Sequence, residues 1–472
     1  MSLPLVEELT TPPEPYAALR AFAGESSVLL LESARRLKRL GRYSFLTADP
    51  YAFFQIDQAR FGDDPFAAVK QQLQSHPAET LLDLPPFQGG AAGLLAYNLG
   101  GCWERLPRPG IDEFQLPALA IGLYDWVLAW DHDQQRAWVI SQGFPEHEPA
   151  QRRRRAEERM RWVQQTLTKK KSTDSQPVVA TPSPHAIDLS MQHEVPGRSP
   201  WLSNFSRDAY LRTVERAIKY IYAGDIFQVN LSQRLLHPLH ESPLELYGRL
   251  RTQNAAPFAG YFAHDDWTLA SASPERFVQV QDRIVSSRPI KGTRQRRQQP
   301  EADLFTRDEL RESEKDQAEN VMIVDLLRND LSRVCSAGTI QVPELCRVET
   351  YETVQHLVSE IRGTLVPTND CWDLLAASFP GGSITGAPKV RAMEIIAELE
   401  PTVRGPYCGS LFYVGYDGTM DSNILIRTFT ARNGWLQCPV GGGIVAQSSP
   451  QAEYEETWHK AAGMLAAVGS RQ

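Results

Sequence analysis

The chain has no apolar run long enough to span a bilayer, which argues against a helical membrane protein. Its start, Met-Ser-Leu-Pro-Leu-Val-Glu-Glu, lacks a basic segment followed by an apolar one, so no secretory signal is read there. Cysteine is scarce: six residues, at 102, 335, 346, 371, 408 and 438, none in C-x-x-C spacing. Neither a disulfide framework nor a zinc ribbon fits that scatter, and reduced thiols in the cytoplasm do. Positive charge is not in excess. Lys and Arg number 49 against 57 Asp and Glu, a net charge of −8, which argues against a nucleic-acid binder. The glycine-rich stretch Phe87–Tyr97 lacks a dinucleotide fingerprint, and Phe379–Arg391 lacks the Gly-Lys-Ser/Thr that closes a phosphate-binding loop.

What is present is ample core material: 472 residues, 42% hydrophobic and 22% charged. That suits two or three domains, or one composite fold. Residues 1–145 are rich in strand signals, with Val28–Leu31, Gly41–Leu46 and a hairpin flanking Asp131–Asp133. Residues 146–200 hold a charged helix over 149–171, whose Arg152–Arg155 run suits a solvated face, and a Ser, Thr, Pro and Gln-rich linker over 172–200. Residues 201–472 are patterned more sharply. Leu211, Val214, Ile218 and Ile221 recur at helical spacing before Gly224. Ile226–Leu235 alternates, and its polar face of Gln228, Asn230, Ser232 and Arg234 is read as facing water rather than a cavity. One long helix is predicted over 308–334, and strands over 407–415, 424–431 and 439–446.

The chemistry-bearing residues cluster around the stretch 273–293. Phe277–Val280 and Ile284–Val285 flank Asp282–Arg283 as a hairpin. Extending either a two-residue or a three-residue turn brings Glu275 opposite Lys291 or one position away. A cross-strand salt bridge is the plain reading. Pro289 and Gly292 around the lysine imply special backbone, and in a dry site a neutral lysine is a nucleophile and a protonated glutamate a general acid. Glu319 enters an apolar helical stretch and needs a partner. Ser383 lies in a glycine loop leading into a helix, read either as a plain loop-to-helix cap or as a helix start whose free N–H groups hold a carboxylate. Arg427 sits within a strand pattern, where an arginine is usually an edge or surface residue and only sometimes a carboxylate fork, and Gly441, Gly442 and Gly443 mark a strand that something approaches closely. On the last helix Glu453, Glu456 and Lys460 share a face, either as an exposed ladder or, with Glu319, as an oxygen-only site suited to Mg²⁺.

Taken in order, Ser-Pro-Glu-Arg-Phe, Pro-Ile-Lys-Gly-Thr, Val-Asp-Leu-Leu-Arg-Asn-Asp, Phe-Pro-Gly-Gly-Ser-Ile-Thr-Gly-Ala-Pro-Lys, Gly-Gly-Gly-Ile-Val and Glu-Tyr-Glu-Glu-Thr resemble the chorismate-utilising enzymes. The resemblance spans about residues 200–465 and extends more weakly over 25–145. It implies an α+β fold like that of anthranilate synthase component I: two β-sheets packed as a sandwich with surrounding helices. It also implies Mg²⁺ on Glu319 and Glu456, with Glu453 acting through water. Ser383, Tyr407, Arg427, the Gly441–Gly443 backbone, Lys460 and His356 match substrate-binding positions, with chorismate as the substrate. Gln228 stands where isochorismate and salicylate synthases carry a water-activating lysine. Lys291 stands where anthranilate synthases usually carry alanine, and Pro-Ile-Lys-Gly-Thr is the form seen in aminodeoxychorismate synthase component I.

The implied reaction is therefore amination of chorismate at C4, of the aminotransferase class, in 4-aminobenzoate and folate biosynthesis. Anthranilate synthase component I is the alternative. Glu275 would act as general acid and Lys291 as nucleophile. Cys408, in Tyr-Cys-Gly-Ser, lacks the flanking glycines of a nucleophile elbow, so ammonia is expected from a separate glutaminase subunit. Ser33, in Leu-Leu-Glu-Ser, matches a region that lines a tryptophan pocket in anthranilate synthases.

Overall fold

The computed structural model describes residues 3–36, 40–169, 189–296, 299–350 and 354–469. Two large, mainly antiparallel sheets form its centre, one of thirteen strands and one of ten among the described residues. Their facing sides interdigitate. Phe45 and Phe262 of the larger sheet meet Leu411 and Tyr413 of the smaller in one buried cluster, with the Phe45 and Tyr413 rings 5.3 Å apart. Helices cover both outer faces. Pro15–Phe22, Pro149–Thr168, Pro243–Gln253 and Pro450–Val468 pack on the larger sheet, and Glu314–Ser332 and Cys371–Ser378 on the smaller. Among the described residues no helix is long and apolar enough to cross a membrane.

Both sheets are built across the compositional boundaries at 145 and 200. Val28–Glu32 pairs with Phe258–His264 in one sheet, and Gly90–Leu95 pairs with Ser410–Gly415 in the other. The glycines of Gly90–Leu95 permit close backbone approach: a Cβ on Gly90 would collide with the Val414 carbonyl. The linker expected over 172–200 lies largely outside the described residues. Its end, His193–Glu194, pairs with Leu202–Ser203 at the edge of the larger sheet.

Several expectations change. The single helix over 308–334 is two, Pro300–Glu312 and Glu314–Ser332, because Ser313 breaks the run and caps the second by accepting from Asp316 N. Arg152 is buried rather than solvated: its Nε donates to the Gln142 carbonyl and its guanidinium lies over Phe144. The polar face of Gln228–Pro238 does not meet water. Gln228 is 0% exposed while Phe227 is 70% exposed, because this inner strand is paired along its length with Trp435–Ile444 and its polar side chains point into the protein, where the Gln228 amide stays without a hydrogen-bond partner. Ser232 binds Glu400 and Arg234 binds Glu113.

Candidate active site

The hairpin forms with a two-residue turn, Val280 opposite Val285, and both Asp282 and Arg283 adopt left-handed φ (50° and 63°), as a type I′ turn requires. It does not extend to Lys291. After Ser287 the chain starts a new strand, Ile290–Gln295, which pairs with Val354–Thr364. Lys291 lies opposite Leu357, and the ladder slips between Lys291 and Thr293 around Gly292, whose φ is 66°. That bulge re-aims the lysine, as bulges do next to functional sites. The lysine and Glu275 meet by another route than cross-strand pairing. The Glu275 carboxyl lies near Lys291, the Ser383 side chain and the Ile290 N–H, all of which favour its charged form. Lys291 Nζ donates to the Ser383 carbonyl at 3.2 Å. Ser383, in the short turn Gly382–Ile384, thus binds Lys291 and lies near Glu275.

Burial pushes the two groups toward their neutral forms. Desolvation raises the Glu275 carboxyl, which is 7% exposed, against the attraction of Lys291. Desolvation lowers the Lys291 ammonium, opposed by Glu275 and Glu319. Burial also lowers His356, to about 4, helped by the positive charges of Arg427 and Arg35. His356 sits on the strand beside Lys291, across from Thr293. Arg427 is not within a strand. It lies between Met420–Asn423 of the smaller sheet and Thr428–Arg432 of the larger, where the chain changes sheets, and its φ is 52°. Glu275 attracts it. Tyr407 is buried just before Ser410–Gly415, its ring beneath the Arg404 guanidinium.

The C-terminal helix completes the site. Lys460 Nζ donates to the Gly441 carbonyl at 3.0 Å and pairs with Glu456 at 2.6 Å. A Cβ on Gly442 would lie 3.3 Å from Glu453 Oε2, 3.5 Å from Glu456 Oε1 and 3.5 Å from Lys460 Nζ, so the glycine leaves these three groups facing one small volume. Gly441 and Gly443 likewise have no room for a side chain, against the Leu231 carbonyl and the Gln228 amide. The exposed-ladder reading fails for Glu453, which is 4% exposed; Glu456 is more open. Burial raises the Glu453 carboxyl. Glu456 is also pushed up by burial, but Lys460, with Lys315 and Lys291, opposes that and its net shift is downward.

Among the described residues no three His, Cys, Asp or Glu form a ready-made metal cage. The donor set nevertheless fits a hard cation. Glu453 Oε2 is buried with no hydrogen-bond partner, Glu319 is raised by burial and feels the Glu456 charge, and all donors are carboxylate oxygens.

One buried pair behind the site escapes the sequence reading. Arg404 is paired with Glu400 and donates to the carbonyls of Ile384 at 3.0 Å and Asn230 at 2.7 Å, fixing the residue after Ser383. The i,i+4 spacing is its one sequence signal. Ser33 lies apart, in a cleft of about 440 Å³ between the sheets, where its hydroxyl donates to the Tyr43 carbonyl at 2.6 Å.

The chain is similar to known proteins over nearly its whole length. The aminodeoxychorismate synthase component 1 of Salmonella typhimurium is 40% identical over 467 residues, covering 96% of this chain and 96% of its own. The anthranilate synthase component 1 of Thermus thermophilus is 40% identical over 469 residues, covering 98% and 96%. The crystal structure of anthranilate synthase component I from Streptococcus pneumoniae superposes with a TM-score of 0.73 at 28% identity, covering 91% of this chain and 93% of that one. MenF, the menaquinone-specific isochorismate synthase of Escherichia coli, shares the fold at 18% identity and a TM-score of 0.72, over 99% and 96%. The model of the chorismate binding enzyme family matches residues 26–466, and the protein belongs to that family, as a chorismate-utilising enzyme of its anthranilate synthase and aminodeoxychorismate synthase group.

Proposed function

We propose that the chain is component I of aminodeoxychorismate synthase, aminating chorismate at C4 to give 4-amino-4-deoxychorismate. The observation that carries this reading is Lys291. It stands at a bulge beside a buried Glu275, and burial favours the neutral amine and the protonated acid together. The neutral Lys291 Nζ adds at C2 of chorismate. The ring double bonds shift toward C4, and the 4-hydroxyl departs as water with the proton of Glu275. Ammonia then attacks C4, the double bonds shift back, the Lys291 amine leaves C2 as the neutral amine, and the new C4 ammonium returns a proton to the Glu275 carboxylate. One water is released and one ammonia consumed, and two displacements direct nitrogen to C4 rather than C2.

Arg427, Tyr407, Lys460, Ser383 and the Gly441–Gly443 backbone hold the substrate's carboxylates in this reading, and the lowered His356 is a neutral polar group beside them. Glu319 and Glu456 would hold Mg²⁺, with Glu453 close by, and the bound metal would supply electrostatic stabilisation at the ring carboxylate. Gln228 has no basic nitrogen, so the position offers no base for attack by water. The ammonia would come from a separate glutaminase subunit, component II, a partnership that the name component 1 of the Salmonella relative supports.

Anthranilate synthase component I is the second reading, favoured by the equal identity of the Thermus protein. Mass spectrometry separates the two. The chain is incubated with chorismate, Mg²⁺ and an ammonium salt at alkaline pH. A product in which nitrogen replaces hydroxyl and the pyruvyl ether remains is expected, and Lys291→Ala abolishes it. Anthranilate with free pyruvate would establish the second reading instead.

A further inference from the structure

Two charged residues that this chemistry does not use sit in the wall behind it. Lys389 opens the helix Lys389–Leu399, and its ammonium donates to Asp330 Oδ2 at 2.6 Å and to the Ser378 carbonyl at 2.7 Å. Their side chains are only 14% and 5% exposed. Ser378 ends the helix Cys371–Ser378, so its carbonyl is one of the acceptors a helix end leaves unsatisfied. Arg333 takes the neighbouring carbonyl, that of Ala377, at 3.1 Å. Ser378 and Lys389 are the two ends of the loop that carries Ser383. A single ammonium therefore joins both ends of this loop and fastens them to Asp330.

Asp330 lies on the helix Glu314–Ser332, which also carries Glu319. From 319 to 330 is about three turns, so the two carboxylates share one helix face roughly 16 Å apart. Between them Leu326 presses on the loop, since a Cβ on Gly382 would collide with Leu326 Cδ2. Helix and loop thus touch at two levels. A buried ion pair is a poor source of stability, because apolar residues of similar volume often serve as well, and its best-attested use is to fix register.

We propose that Lys389 and Asp330 are positioning residues that set the axial register of the Glu319 helix against the Ser383 turn, and through it against Lys291. This rests on the site reading above only in that the site consumes chorismate; the product formed does not enter. The test replaces the pair with apolar residues, Lys389→Met with Asp330→Leu, and measures chorismate consumption with ammonium and Mg²⁺, thermal unfolding, and hydrogen exchange of the 381–385 amides. The double variant unfolds at the parent temperature, its 381–385 amides exchange faster, and kcat falls about tenfold to a hundredfold, with the loss on kcat rather than KM. Asp330→Glu keeps both charges and lengthens the clasp by one methylene. It folds and also loses kcat, and it decides the matter if the apolar pair does not fold. Lys389→Arg, which keeps the charge, retains more activity than Lys389→Met. A double variant or Asp330→Glu protein that folds and keeps the parent kcat and loop protection would overturn the proposal. The variant-to-parent ratio reads the clasp whichever product forms, and product identity from the parent reads the amination.

Discussion

Ser448 Oγ donates to Glu453 Oε1 at 2.6 Å and leaves Oε2 of the same carboxylate buried without a partner. A half-satisfied buried carboxylate is destabilising unless a cation or a proton joins it. Burial raises the folded pKa of Glu453 above its ordinary 4.5, so the native state holds that proton more tightly. The stability this proton brings is complete below the unfolded pKa and is lost as pH rises through the folded one. At pH 8, in chelator, Glu453→Gln should therefore unfold at a higher temperature than the parent. Adding MgCl₂ should stabilise the parent, by about 2.7 kcal/mol at a hundredfold excess over Kd, and stabilise the variant less. A parent melting temperature indifferent to Mg²⁺ would remove the metal from the site.

Glu275 and Lys291 each oppose the other's burial-driven shift, so pH dependence is read for the pair. The form that reacts, and its zwitterionic tautomer, both carry one proton. Gaining a second proton stops the reaction, and the raised Glu275 places that acid limb above 4.5. Losing the last proton also stops it, and the lowered Lys291 places the alkaline limb below 10.5. Single-turnover rates of chorismate consumption against pH should give a bell narrower than those two values allow. Glu275→Gln should lower the rate by about 10²–10⁴, the range of a general acid. A parent profile flat through this range would remove the pair from the chemistry.

How much of this was legible beforehand differs residue by residue. Pro289 and Gly292 flag special backbone at Lys291, and the bulge is there; the strand that actually pairs with the lysine lies some sixty residues downstream, beyond any local pattern. Alternation in Gln228–Arg234 reports two faces but not what covers them. Here the covering groups are Glu400 and Glu113, distant in sequence. The break at Ser313 was legible, because Ser313 and Asp316 stand at capping spacing, yet the charged run on either side masks it. Arg427 reads as mid-strand because its neighbours are apolar; only the crossing between sheets explains its left-handed backbone.

Arg427 is held at that crossing with its charge set against Glu275 and beside His356. A planar fork presented from constrained backbone suits a carboxylate better than a point charge does. Arg427→Lys keeps the charge and loses the fork. A charged hydrogen bond contributes about 1.5–3 kcal/mol, so KM for chorismate should rise by about tenfold to a hundredfold. Steady-state kinetics with ammonium as donor measure this. An unchanged KM would mean that another group holds the substrate's carboxylate.

The cleft beside Ser33 makes a separate prediction. Its walls include Leu31, Tyr43, Phe258 and Tyr413, with the paired Arg276 and Asp421 also lining it. At about 440 Å³ it has the volume of an amino-acid-sized ligand and offers apolar surface beside charge. Ser33 already spends its hydroxyl on the Tyr43 and Pro257 carbonyls, so its contribution is to shape the wall rather than to bind directly. Calorimetric titration with tryptophan should give saturable heat. Ser33→Leu, which adds bulk at the wall, should weaken binding while leaving ammonium-dependent turnover intact, because neither Lys291 nor Glu275 lines this cleft. Absence of heat with the parent protein would show that the cleft takes no tryptophan, whatever the amination site does.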